Sequence, residues 1–148
     1  MKKLKLICIA FVFSMFGCSK PVPMEIKDVC SQPEGTDVII QGFISLPQVI
    51  DTIQMTRQGR IEKVGLQLFL MTKADATGDS VKTTFWVSDK SEPNSIKPLS
   101  KGYTWNDLLV YTDDGKTIGP GKVVKVTGEV KPNDKSKCEV NVTKIENP

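Results

Sequence analysis

Through most of this chain apolar and polar residues alternate with the two-residue period of a strand buried on one face. From Asp37, Val38, Ile40, Gly42, Ile44 and Leu46 fall on one side and Ile39, Gln41, Phe43 and Ser45 on the other, until Pro47 interrupts. Gly65 to Thr72 repeats the pattern, with Leu66, Leu68 and Leu70 inward and Gln67, Phe69 and Met71 opposite. Val81 to Ser88 sets Thr83, Phe85 and Val87 against Thr84, Trp86 and Ser88. Lys122 to Lys131 is the clearest strand, with Val124, Val126, Gly128 and Val130 inward. Cys138 to Glu146 carries Val140 and Val142 in step and Ile145 out of step, which predicts a β-bulge near Lys144.

The segments between are less regular. Asp28 to Thr36 holds at most one turn, ended by Pro33 and Gly35. In Gln48 to Lys63 the apolar residues Val49, Ile50, Ile53, Met55 and Ile61 fit neither period. A long structured loop is the expectation there, with Gln58-Gly59 as a candidate hairpin turn. Asp113-Asp114-Gly115, flanked by Trp105–Thr112 and Lys116–Ile118, signals an extra hairpin. Five main strands, little helix and glycines at strand bends suggest a small closed barrel, with a β-sandwich as the rival.

The run Gly-Lys-Val-Val-Lys-Val-Thr-Gly-Glu-Val at 121–130, a polar turn, and Val-x-Val-x-x-Ile at 140–145 resemble the closing hairpin of OB-fold proteins. Val-Ile-Ile-Gln-Gly-Phe-Ile at 38–44 resembles their first strand, its mid-strand glycine allowing tight coiling. The Gly-Glu-Val is also similar to that of the periplasmic bacterial OB-fold family. The chain departs from that family in the loop after the first strand and in the hairpin at Asp113. The resemblance implies an all-β, five-stranded OB-like barrel over residues 28–148.

The N-terminus reads as an address. Lys2, Lys3 and Lys5 precede an almost wholly apolar stretch, Leu6 to Phe16, too short for a spanning helix, which needs roughly 20 apolar residues. Ser14-Met15-Phe16-Gly17-Cys18 follows, and Gly17 before Cys18 resembles the lipobox of bacterial lipoproteins. That resemblance implies a signal peptide at 1–17, diacylglycerol on the Cys18 thiol and a tether over 18–27. Ser19 after the cysteine implies the outer membrane, facing the periplasm. The competing readings are cleavage by the ordinary signal peptidase, which Met15 at −3 serves badly, and a retained anchor.

Removing residues 1–17 changes the charge and the cysteine count. The whole chain is +3, but the segment carries three lysines and no acid, leaving 17 basic against 17 acidic side chains. Bulk charge therefore disfavours nucleic acid, whose phosphates call for a Lys/Arg surplus. Of four cysteines, Cys8 leaves with the signal and Cys18 takes the lipid. Cys30 and Cys138 remain, in a compartment where disulfides persist. A bond between them closes a loop of 108 residues.

With no histidine, Ser–His–Asp and Cys–His nucleophilic sites and His-ligated zinc are excluded. No metal, cofactor or catalytic residue is indicated, and a non-enzymatic binding or adaptor module, with an envelope protein or small ligand as partner, is the expectation. The sharpest constellation is aromatic: Phe43, Phe69 and Trp86 on the outer face of three successive strands, where OB-folds stack bases or sugars. The alternative is that residues 48–63 fold over these rings as a second small core. Tyr103, Trp105 and Tyr111 read as packing at the barrel mouth. Lys90, Lys97 and Lys101 read as a solvated loop, and Asp113 and Asp114 as turn chemistry rather than a calcium loop.

Overall fold

The computed structural model describes residues 20–134 and 136–148. Five long strands carry the alternation seen in the sequence: β2 (Asp37–Ser45), β4 (Arg60–Met71), β5 (Ser80–Trp86), β9 (Val123–Pro132) and β10 (Cys138–Glu146). β2 pairs antiparallel with β4, β4 with β5, β10 with β9 and β9 with β2, while β5 and β10 run parallel. The pairings close a ring in the order β2-β4-β5-β10-β9-β2. Numbering the five in sequence, the order is 1-2-3-5-4-1, an OB-like circuit rather than a sandwich of two sheets. The ring fills with Ile40, Leu68, Leu70, Phe85, Val126, Val140 and Ile145, all essentially without solvent access. Val142 and Lys144 flank a register shift against β9, the bulge that the displaced Ile145 predicts.

Two strands extend this ring, so the sheet has seven strands and not the expected five. β1 (Val22–Pro23) lies parallel to β2. Met24 donates its backbone N–H to Ile39, and Ile26, opening a 3-10 turn over Ile26–Ser31, is 3% exposed. The stretch expected as a tether is therefore docked on the barrel from Val22 onward.

The second addition corrects the long loop expected after the first strand. Residues 51–57 form β3 (Asp51–Arg57), an antiparallel hairpin with the first half of β4. Gln58 (φ 50°) and Gly59 (φ 74°) make its two-residue turn, both in the left-handed conformation that such hairpins require. The sequence shows no two-residue period there because residues 54–63 are exposed on both faces. No buried side imposes an apolar alternation there. The hairpin around Asp113 is present as expected, in a small sheet of β6 (Ser95–Ile96), β7 (Val110–Tyr111) and β8 (Thr117–Ile118). A second 3-10 turn, Trp105–Asp107, precedes it.

Candidate binding face on the outside of the barrel

Phe43, Phe69 and Trp86 lie half-buried on the outer face of β2, β4 and β5. Phe43 sits opposite Met71 and Phe69 opposite Ser45, so the two phenyl rings are diagonal neighbours. Trp86 sits opposite Gly65, while Phe69 sits opposite Lys82, four residues back along β5. At the rise of an extended strand that separates Trp86 from Phe69 by roughly 13 Å. The fold brings two of the three rings together and leaves the third apart.

A polar patch occupies the interval. Gln67, Lys82, Thr84, Glu139 and Asn141 share this face through the registers of β4, β5 and β10. Gln67 Nε2 donates to Glu139 Oε2 at 2.8 Å, and Asn133 Nδ2 donates to the same oxygen at 2.6 Å. Lys82, only 8% exposed, points its ammonium at Asp51 at 3.6 Å. Of these groups Gln67 and Lys82 border a cavity of about 350 Å³ between the β3 hairpin, the barrel wall and the β9–β10 connection, which Asp51, Ile53, Asn133 and Asp134 also line. Only the ammonium is buried, the Asp51 side chain being 44% exposed, so desolvation weighs on Lys82 and the carboxylate keeps much of its hydration.

The deepest part of the patch is unsatisfied. Thr84 Oγ1 and Asn141 Oδ1, on register-paired residues, are buried without a hydrogen-bond partner. Gly65 explains the burial. A Cβ there would come within 2.9 Å of both Ile53 Cγ1 and Thr84 Cγ2, so its absence lets Ile53 lean across from β3 and roof the threonine. Leaving such atoms unpaired costs on the order of 1–3 kcal/mol each.

Trp86 borders a separate cavity of about 460 Å³, with Glu62, Lys63, Asn94, Val142 and Thr143 among its walls. Lys63 Nζ stands 5.9 Å from the indole centroid, within cation–π range. Tyr103 and Trp105 face a third cavity of about 550 Å³ at the barrel end, with Leu46, Pro47, Ala74 and Asp75. Trp105 also packs on the core, and Tyr111 is buried, as packing at the mouth requires. Sequence periodicity alone had no means to place Gln67, Thr84 and Asn141 side by side across three strands. Only the parallel pairing of β5 with β10, distant in sequence, does so.

Elsewhere the candidates resolve simply. Cys30 and Cys138 form a disulfide, with Cα atoms 5.4 Å apart, tying the first 3-10 turn to the start of β10. Asp114 pairs with Lys116 and Asp113 with Lys144, and the described residues hold no cluster of metal-binding side chains. Lys90, Lys97 and Lys101 are exposed. Cys18, the candidate lipidation site, lies outside the described residues.

The strand order and the outer-face groove define an OB-like barrel. No family model and no curated protein matches the chain. Among solved structures it is similar to a chain from the crystal structure of the S. pombe Stn1-ten1 complex. The identity is 14%, the TM-score is 0.39, and the match covers 88% of this chain and 79% of that one.

Proposed function

We propose that this chain is a lipid-anchored, non-enzymatic binding module of the bacterial cell envelope. It holds its ligand or protein partner on the outer face of β4, β5 and β10. The observation that carries the proposal is the row of Gln67, Thr84 and Asn141 across these three strands, with a buried polar atom unpaired on each of the last two. A ligand that supplies a donor and an acceptor there relieves the cost of the unpaired atoms. The carboxylates of Asp51 and Asp134 line the cavity with Lys82, and Glu139 sits opposite Lys82 in register, so the groove disfavours phosphate chains and suits a neutral, hydroxyl-rich ligand. An oligosaccharide therefore ranks above an oligonucleotide.

The anchor rests on the basic start, the short apolar stretch and Gly17-Cys18. The Cys30–Cys138 bond supports a compartment outside the reducing cytosol. Fatty-acid labelling of the full chain should disappear with Cys18→Ala. Labelling that persists removes the lipoprotein reading.

The groove is tested by tryptophan fluorescence with chitohexaose and maltohexaose as probes and the oligonucleotide (dT)12 as the counter-probe. A saturable response, indifferent to salt, is expected for a sugar. Thr84→Val should weaken it about tenfold while leaving stability equal or higher, because the substitution deletes an unsatisfied hydroxyl. Tight, steeply salt-dependent binding of (dT)12 would instead favour the nucleic-acid alternative.

A further inference from the structure

β3 is the last strand of its sheet and bonds only to β4 among the described residues. Its other edge carries no proline and no lysine, its charges are confined to Asp51 and Arg57 at the two ends, and the register shift at Met55/Thr56 puts the extra residue, Glu62, on β4. Three of the four large hydrophobic residues exposed among the described residues, Val49, Met55 and Ile61, lie on or beside its hairpin. The chain's two arginines, Arg57 and Arg60, flank the turn.

The backbone direction of this edge can be assigned. Val64 gives its carbonyl to Val87 on the β5 side, so Gln54, its register partner on β3, turns its own N–H and C=O outward. By alternation Thr52 and Thr56 do the same. The edge reads Asp51-Thr52-Ile53-Gln54-Met55-Thr56-Arg57. Laid antiparallel against itself about Gln54, it is complementary at each position. Asp51 meets Arg57 of the other copy, Thr52 meets Thr56, Ile53 meets Met55, and Gln54 meets Gln54. The outward-facing residues 52, 54 and 56 fall opposite one another, as a hydrogen-bonded ladder demands. The charged and apolar pairs share one face, and the threonine and glutamine pairs share the other.

We propose that this chain self-associates as a two-fold dimer by antiparallel pairing of the β3 edges, with the axis through Gln54. The pairing is isologous and closes, so it stops at two copies. Asp51 keeps Lys82 on its own subunit at 3.6 Å, and a carboxylate has about four lone-pair sites with which to accept the other copy's Arg57 as well. Because Asp51 and Ile53 also border the groove, the two grooves of a dimer flank the axis side by side. A seven-residue edge buries little surface. The dimer is therefore weak in dilute solution and favoured wherever the protein is held at high local concentration.

Disulfide trapping of the full chain in detergent micelles tests the register. In a hydrogen-bonded antiparallel pair the Cα atoms stand about 5.5 Å apart, within the range a disulfide spans. Gln54→Cys should give a cross-linked dimer under mild oxidation, at least ten times faster than Asn106→Cys, an exposed control site. Adding Arg57→Asp, which sets aspartates opposite Asp51, should slow the trapping about tenfold. In sedimentation at high concentration, Gln54→Pro should abolish the dimer. Its lost N–H faces outward in the monomer, and an unchanged circular dichroism spectrum will show the fold intact. Trapping of Gln54→Cys no faster than the control, or a dimer that survives Gln54→Pro, overturns the proposal. Capture of a different polypeptide at position 54 in place of a second copy does so too.

Discussion

At the scale of single residues, close backbone contacts and short charge pairs make the sharpest predictions. Gly42 lies in the middle of β2, where a Cβ would come within 2.5 Å of the Met71 carbonyl oxygen and 2.9 Å of Ile26 Cδ1 and Leu70 Cγ. The carbonyl belongs to a paired strand and has nowhere to retreat. Gly42→Ala should therefore destabilise the protein by about 1–3 kcal/mol, read as a lower denaturant midpoint with unchanged slope. Asp114 gives a pH prediction. Lys116 Nζ at 2.6 Å and the Thr112 hydroxyl hold its carboxyl at about 2, below the ordinary 3.8. A carboxyl depressed on folding contributes stability that is complete above the unfolded value and lost as the pH falls through the folded one. The contribution of Asp114 should thus fade between about pH 4 and pH 2. An NMR titration should place its midpoint near 2, and Lys116→Met should move that midpoint up toward 3.8, since Lys116 is the largest cause.

At the scale of elements, the agreement between sequence and structure follows burial. β2, β4, β5, β9 and β10 were legible because each has one face against the core, and a one-residue slip would expose every apolar side chain. The bulge near Lys144 was legible for the same reason, since Ile145 has to regain the inward face. The β3 hairpin was not. Its far half has no interior, so Met55 and Ile61 obey no period that a reader of the sequence can count. The only local sign was Gln58-Gly59, and a two-residue turn means little without the strands beside it. The three aromatics show the same limit. Their common face could be read from alternation, but the distance between Trp86 and Phe69 depends on where β4 and β5 are paired.

At the scale of the whole molecule, the disulfide joins residues 108 positions apart, holding the N-terminal turn against the strand that completes the ring. Cross-linking so long a loop restricts the unfolded chain strongly, by about 4.7 kcal/mol in the chain-entropy model. Cys30→Ser with Cys138→Ser should lower unfolding stability by about 2–5 kcal/mol, measured by denaturant titration at neutral pH. Wild-type protein treated with reductant should lose a similar amount, whereas the double variant should be indifferent to reductant.

Alternation, glycine placement and the count of charges and cysteines by themselves determined the five core strands, the outward face of Phe43, Phe69 and Trp86, and the balanced charge of residues 18–148. These are properties of nearest neighbours along the chain and of composition, and they hold whatever the strands do next. Which strands meet, and at what register, was decided only by the tertiary structure. Parallel pairing of β5 with β10 set Thr84 beside Asn141, and a side chain missing at Gly65 let Ile53 and Thr84 approach across β4. Both depend on contacts between residues far apart in sequence, whose energies reside in the closed barrel and in no segment of it.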